Sequence, residues 1–74
     1  PAVIEPYKKP DFKDFDNSEQ RILEYLYKCI EPAHIDEIMR NTGMRSSEVS
    51  STILILQMKG AVSQHAGNLY SLSI

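Results

Sequence analysis

Apolar residues in the last third of the chain recur at helical spacing and then change to short runs broken by glycine. Val49, Ile53 and Leu56, followed by Gly60, fall on one face of a 3.6-residue period, which predicts a helix over residues 47–59. Ser46 or Ser47 supplies an oxygen to cap its first N–H groups, and Glu48 sits in the first turn, where the positive helix end favours it. Gly60 stands where helices commonly end on a left-handed residue. Residues 61–66 and 69–73 then read as two short strands around the turn Gly67-Asn68.

Two further helices precede this one. Asp16-Asn17-Ser18-Glu19-Gln20 is a helix-start signal, with short polar side chains followed by Glu or Gln reaching back. Ile22, Leu23, Leu26, Cys29 and Ile30 follow at three- and four-residue spacing and predict a helix over residues 18–30, stopped by Glu31-Pro32. Tyr25 and Tyr27 flank that stripe, with their hydroxyls in water. Ala33-His34-Ile35 forms a single bridge of strand that pairs with the later hairpin. Asp36 caps a second helix over residues 37–41, with Ile38 and Met39 turned inward, and Thr42-Gly43 ends it. Met44 anchors the turn in the core. A short helix, a turn containing glycine and a longer helix form a helix-turn-helix. With the terminal hairpin the fold class is mainly α with a small β wing, a winged helix-turn-helix of three helices and a two- or three-stranded sheet.

The start of the chain is different. Residues 1–15 hold three of the four prolines, at Pro1, Pro6 and Pro10, and show neither period, so they read as a linker or arm before a domain over residues 16–74. Tyr7, Phe12 and Phe15 are unusual in a linker. Docking of Phe12 and Phe15 on the helices makes the end of this stretch a structural arm. A chain that begins at Pro1 rather than Met is expected to be a piece of something larger.

Composition narrows what such a domain does. Seventy-four residues make one small domain with little room for a catalytic cleft. The net charge of −2 is far from the basic balance usual in DNA-binding modules. Arg40, Arg45 and Lys59 are the only cations after Pro32, against Asp36, Glu37 and Glu48, so the surface around the third helix is neutral and hydroxyl-rich. The single cysteine, Cys29, excludes an internal disulfide and a multi-cysteine metal site, fits a reducing cytoplasm, and lies on an apolar stripe as a small hydrophobe. There is no run long enough to span a bilayer and no signal peptide in residues 1–10.

Catalytic patterns are not seen. Gly43, Gly60 and Gly67 lie too far apart for a phosphate loop, and His34, His65, Asp36 and Cys29 have no recognised metal spacing. Ser46, Ser47, Ser50 and Ser51 have no evident partner base. The expectation is a binding domain, not an enzyme, with no metal and no cofactor. A helix-turn-helix offers the first half of its third helix to the major groove. That half carries Arg45, Ser46, Ser47, Ser50 and Ser51, and the wing adds Gln64, His65 and Asn68. With one cation at the front, contact with DNA is expected to be weak and salt-sensitive. Ile55 lies about 200° around the helix from Ile53, so both cannot face one core, and Ile55 is a candidate protein contact or is covered by the arm. Leu54 and Met58 form another stripe, expected toward the wing.

The sequence resembles the winged-helix domain of the DNA-processing protein A (DprA) family, at that family's C-terminus. The likeness is carried by His34-Ile35-Asp36-Glu37-Ile38, Thr42-Gly43-Met44, Glu48-Val49-Ser50, Ile53-Leu54, Leu56-Gln57-Met58 and Gly60-Ala61-Val62, with Gly67 and Tyr70. Residues 53–62 follow the family run LLxLELxGxV, and the likeness extends over about residues 22–70. Ile55 departs from the acidic or polar residue usual there, and Gln57 from Glu. The resemblance implies a bacterial, cytoplasmic protein of natural transformation that binds single-stranded DNA and helps load a RecA-type recombinase. It also implies that the proline-rich start is the linker from a Rossmann-like domain, and that this small domain is an accessory contacting DNA, a competence protein or another copy. Two functions follow as expectations: weak DNA contact through the third helix and wing, or a protein–protein contact through the third helix without nucleic acid.

Overall fold

The computed structural model describes residues 11–74. Helix α1 (Asn17–Lys28) starts at the capping box expected from its sequence. The Glu19 N–H donates to Asp16 Oδ1 at 2.9 Å, and the Asp16 N–H donates back to Glu19 Oε1 at 3.0 Å. Ile22, Leu23 and Leu26 form its buried face. The helix ends at Lys28, two residues short of the expected stop, and Cys29 is extended and half-buried. Pro32 disfavours helical geometry at Glu31, and the chain leaves the helix before reaching it. Ile30 is therefore not on the apolar stripe and is 99% exposed, a correction to the sequence expectation.

Strand β1 (Ala33–His34) pairs antiparallel with the last strand, placing Ala33 opposite Tyr70 and His34 opposite Leu69. Helix α2 (Ile35–Thr42) follows without a break. Its cap is His34 rather than Asp36: His34 Nδ1 accepts from the Asp36 N–H at 3.1 Å, while Glu37 Oε1 accepts from the His34 N–H at 3.3 Å. Asp36 comes too late to cap, because Ile35 is already helical, and it sits in the first turn instead. Gly43 closes α2 in the left-handed region at φ 73°, with its N–H on the Met39 carbonyl.

Helix α3 (Ser46–Met58) begins one residue before the expected position. The Val49 N–H already bonds the Arg45 carbonyl at 2.9 Å, so Arg45 is the capping position and neither Ser46 nor Ser47 caps. Its far end is a Schellman stop: the Ala61 N–H donates to the Leu56 carbonyl, the Gly60 N–H to that of Gln57, and Gly60 has φ 78°. Strands β2 (Val62–His65) and β3 (Leu69–Leu72) then form the wing, joined through Ala66, Gly67 and Asn68. The sheet is three-stranded in the order β1-β3-β2, and the Ser73 N–H extends the ladder to the Ala61 carbonyl.

One core joins these elements. Ile22, Leu23, Ile38, Val49, Ile53 and Leu56 are almost completely covered, with Met44 in the turn and Tyr70 on β3 packed beside them. Phe12 is buried in the same cluster, and Phe15 packs half-buried against it, the two rings meeting edge-on at 6.3 Å. Tyr7 and Pro1, Pro6 and Pro10 lie outside the described residues. No helix among the described residues is long and apolar enough to cross a membrane.

Candidate nucleic-acid interface

Helix α3 turns Val49, Thr52, Ile53 and Leu56 inward and leaves the opposite side to solvent. Its first half exposes Arg45, Ser46, Ser47, Ser50 and Ser51, the residues expected from the sequence. Ser51 Oγ donates to the Ser47 carbonyl at 3.0 Å and approaches that of Glu48 at 3.3 Å, so this hydroxyl is satisfied within the helix. Glu48 Oε2 accepts from Ser18 Oγ at 2.9 Å, which ties the first turn of α3 to α1. Among the described residues no carboxylate pairs with Arg45.

The wing divides its three candidates. Gln64 extends toward α3, where its Oε1 is 3.4 Å from Gln57 Nε2. His65 is the next residue along β2 and points to the opposite face, as strand alternation requires, with Nε2 2.8 Å from Ser71 Oγ. Asn68 is exposed in the loop at φ 61°. Thus Gln64 stands beside the helix, whereas His65 is on the far side of the sheet from it.

Two features were not legible in the sequence. Lys59, one of only three cations in the second half of the chain, is used internally. Its Nζ lies 3.1 and 3.0 Å from the two carboxylate oxygens of Glu19, which is 3% exposed, and 5.2 Å from the centre of the Phe15 ring. That leaves Arg45 as the exposed cation at the head of α3. The second feature is the other half of the exposed face. Leu54 is 58% exposed, Ile55 44% and Met58 80%, so Leu54 and Met58 join Ile55 as an apolar surface. The run Ile53-Leu54-Ile55-Leu56 is uniformly apolar, so its sequence does not separate inner from outer positions.

Elsewhere, α1 and α2 enclose a shallow polar groove with Arg21, Glu24, Lys28 and Asn41 on its walls. Tyr25 lines it too: its hydroxyl accepts from Asn41 Nδ2 at 3.2 Å, and desolvation, with contacts to Cys29 and Glu37, raises its pKa above the ordinary tyrosine value. No group of three or more His, Cys, Asp or Glu among the described residues is placed to hold a metal ion.

Three helices in a helix-turn-helix arrangement, closed by a three-stranded antiparallel sheet whose hairpin lies beside the third helix, define a winged-helix domain. The family model of the DprA winged helix domain matches residues 8–68, and the chain belongs to that family. Its matched span starts within the stretch read as linker or arm and includes both Phe12 and Phe15. A crystal structure of Pseudomonas aeruginosa HmgR contains a similar fold, with a TM-score of 0.68 and 25% identity over 74% of this chain and 23% of that one. This chain thus corresponds to under a quarter of that protein's length. No curated protein matches significantly.

Proposed function

We propose that this chain is the C-terminal accessory domain of a bacterial, cytoplasmic DNA-processing protein of natural transformation, and that it is non-catalytic. Its parent binds single-stranded DNA and helps load a RecA-type recombinase, while the domain contributes a weak DNA contact. Arg45, Ser46, Ser47, Ser50 and Ser51 meet the phosphates and base edges, with Gln64 and Asn68 from the wing and His65 at its outer side. The observation that carries this is the exposed first half of α3, four serines with Glu48 as its one charge, headed by Arg45, which pairs with no carboxylate among the described residues, in a family whose fold binds DNA. With so few cations, affinity should fall only about three- to tenfold between 50 and 200 mM salt, against 10³–10⁵ for a protein making 6–10 phosphate contacts. Arg45→Glu should abolish binding at either salt concentration, measured by fluorescence anisotropy on labelled single-stranded and duplex oligonucleotides. Unchanged binding by this variant would remove α3 from the contact.

The exposure of Ile55 with Leu54 and Met58 favours a second reading, a protein contact through α3 without nucleic acid. Ile55→Asp should then weaken the partner contact and leave DNA affinity unaltered.

A further inference from the structure

The loop between α1 and β1 stands as a ridge between two concavities, because Cys29, Ile30, Glu31 and Pro32 line both. On one side Leu26 and Tyr27 of α1 and Leu72 of β3 make an apolar wall. On the other, His34, Glu37 and Leu69 make a mixed one, with Lys28 its one formal cation. Ile30 crowns the ridge almost wholly in solvent, and Tyr27 and Pro32 near it are exposed too. A single exposed isoleucine needs no explanation, but one set among other exposed apolar side chains makes a surface suited to a partner. Charge decides which partner. Residues 29–37 carry Glu31, Asp36 and Glu37, all exposed, and no lysine or arginine. Helix α1 also ends here: Cys29 is extended with its N–H on the Leu26 carbonyl, so the helix's negative end lies at the foot of the ridge. Asp36 and Glu37 are partly offset by the positive start of α2, whereas Glu31 lies outside both helices.

We infer that this ridge takes a basic segment of another protein. An apolar residue of the segment seats against Leu26, Tyr27 and Leu72 beside Ile30, and a following Lys or Arg reaches Glu31 and Glu37 on the other side. An anion does not fit, because nucleic acid or an anionic lipid surface would set its phosphates against Glu31, Glu37 and the negative end of α1. An uncharged apolar partner would cover the carboxylates without compensating them. A second copy docked ridge to ridge would oppose Glu31 with Glu31. The contact is small, and its affinity correspondingly modest. This surface is separate from α3 and the wing, so the inference does not rest on the DNA reading.

An NMR titration of the labelled chain with two short capped peptides tests this, one with leucine and phenylalanine followed by lysine and arginine, the other with glutamate in place of both cations. The basic peptide should shift amides at residues 26–37 and 69–72 with a Kd below about 1 mM, and the acidic peptide should leave them in place. Ile30→Ser should weaken the basic peptide about tenfold, with the unfolding midpoint unchanged because the side chain is exposed. Glu31→Lys should weaken the basic peptide by a similar factor and confer binding of the acidic one, an exchange that a loss of fold would not produce. Equal binding of the two peptides, basic-peptide shifts elsewhere or none, or indifference to both substitutions would each overturn the proposal. Shifts at the ridge on adding an oligonucleotide, or on concentrating the chain alone, would also overturn it by giving the surface to nucleic acid or to a second copy. None of the peptide results depends on DNA, so failure here is distinct from failure of the DNA reading.

Discussion

Phe12→Ala should lower the unfolding free energy by about 3 kcal/mol, within the range for truncating a buried aromatic side chain. Phe12 lies in the same buried cluster as Ile22, Leu23 and Leu56, and its ring is the edge contact for Phe15. In a domain of this size that is a large part of the total stability, about 5–15 kcal/mol for proteins in general. Urea denaturation followed by circular dichroism should show a lower midpoint with an unchanged slope, the sign of a loss in native stability. A loss under about 0.5 kcal/mol, the ordinary range of a surface substitution, would mean that residues 11–15 contribute nothing to the cooperative unit. The same measurement bears on the proposed boundary between an arm over residues 1–15 and a domain over 16–74. A large effect would move the folded unit's edge to Phe12 or before.

Lys59→Met should cost about 2–3 kcal/mol, because it removes the ammonium that satisfies a buried carboxylate while sparing the alkyl packing. Glu19 is 3% exposed, and with Lys59 gone its carboxylate retains only the Asp16 N–H among its observed partners. Lys59 itself is half exposed, which keeps the effect below that of a wholly buried pair. Adding Glu19→Gln should restore part of the loss, since a neutral amide still accepts from Asp16 and leaves no buried charge. Equal destabilisation in the single and double variants would show that the cost comes from the lost Lys59 contact with Phe15 rather than from the stranded charge.

These two sites also show where the sequence speaks and where it is silent. Gly43 and Gly60 end helices through a local backbone requirement, and Asp16 with Glu19 forms a box spanning four residues, so both were legible in the chain order. Buried Val49, Ile53 and Leu56 followed from the helical period alone. The second role of Glu19 did not, because its partner Lys59 lies 40 residues away and only the packing of α3 on α1 brings them together. His34 was missed as a cap because an imidazole is an uncommon capping group beside an aspartate, which normally takes that place. Ile30 continued an apolar spacing that the backbone had already left. Leu54 and Met58 were assigned toward the wing because residues 53–56 are four apolar residues in a row, with no polar position among them to mark the outside. On the candidate interface the serines and Arg45 were legible as an exposed helix start. The separation of Gln64 from His65 depended on the register of β2 with β3, which the sequence leaves free by one residue.

The most direct measurement is an NMR titration of the isotopically labelled chain with a short duplex and with a single-stranded oligonucleotide, each at low and moderate salt. The account predicts amide shifts concentrated at residues 45–51 and 64–68 that fade as salt rises. No shifts at low salt, or shifts confined to the α1–α2 groove around Arg21 and Lys28, would contradict a DNA contact through α3 and the wing.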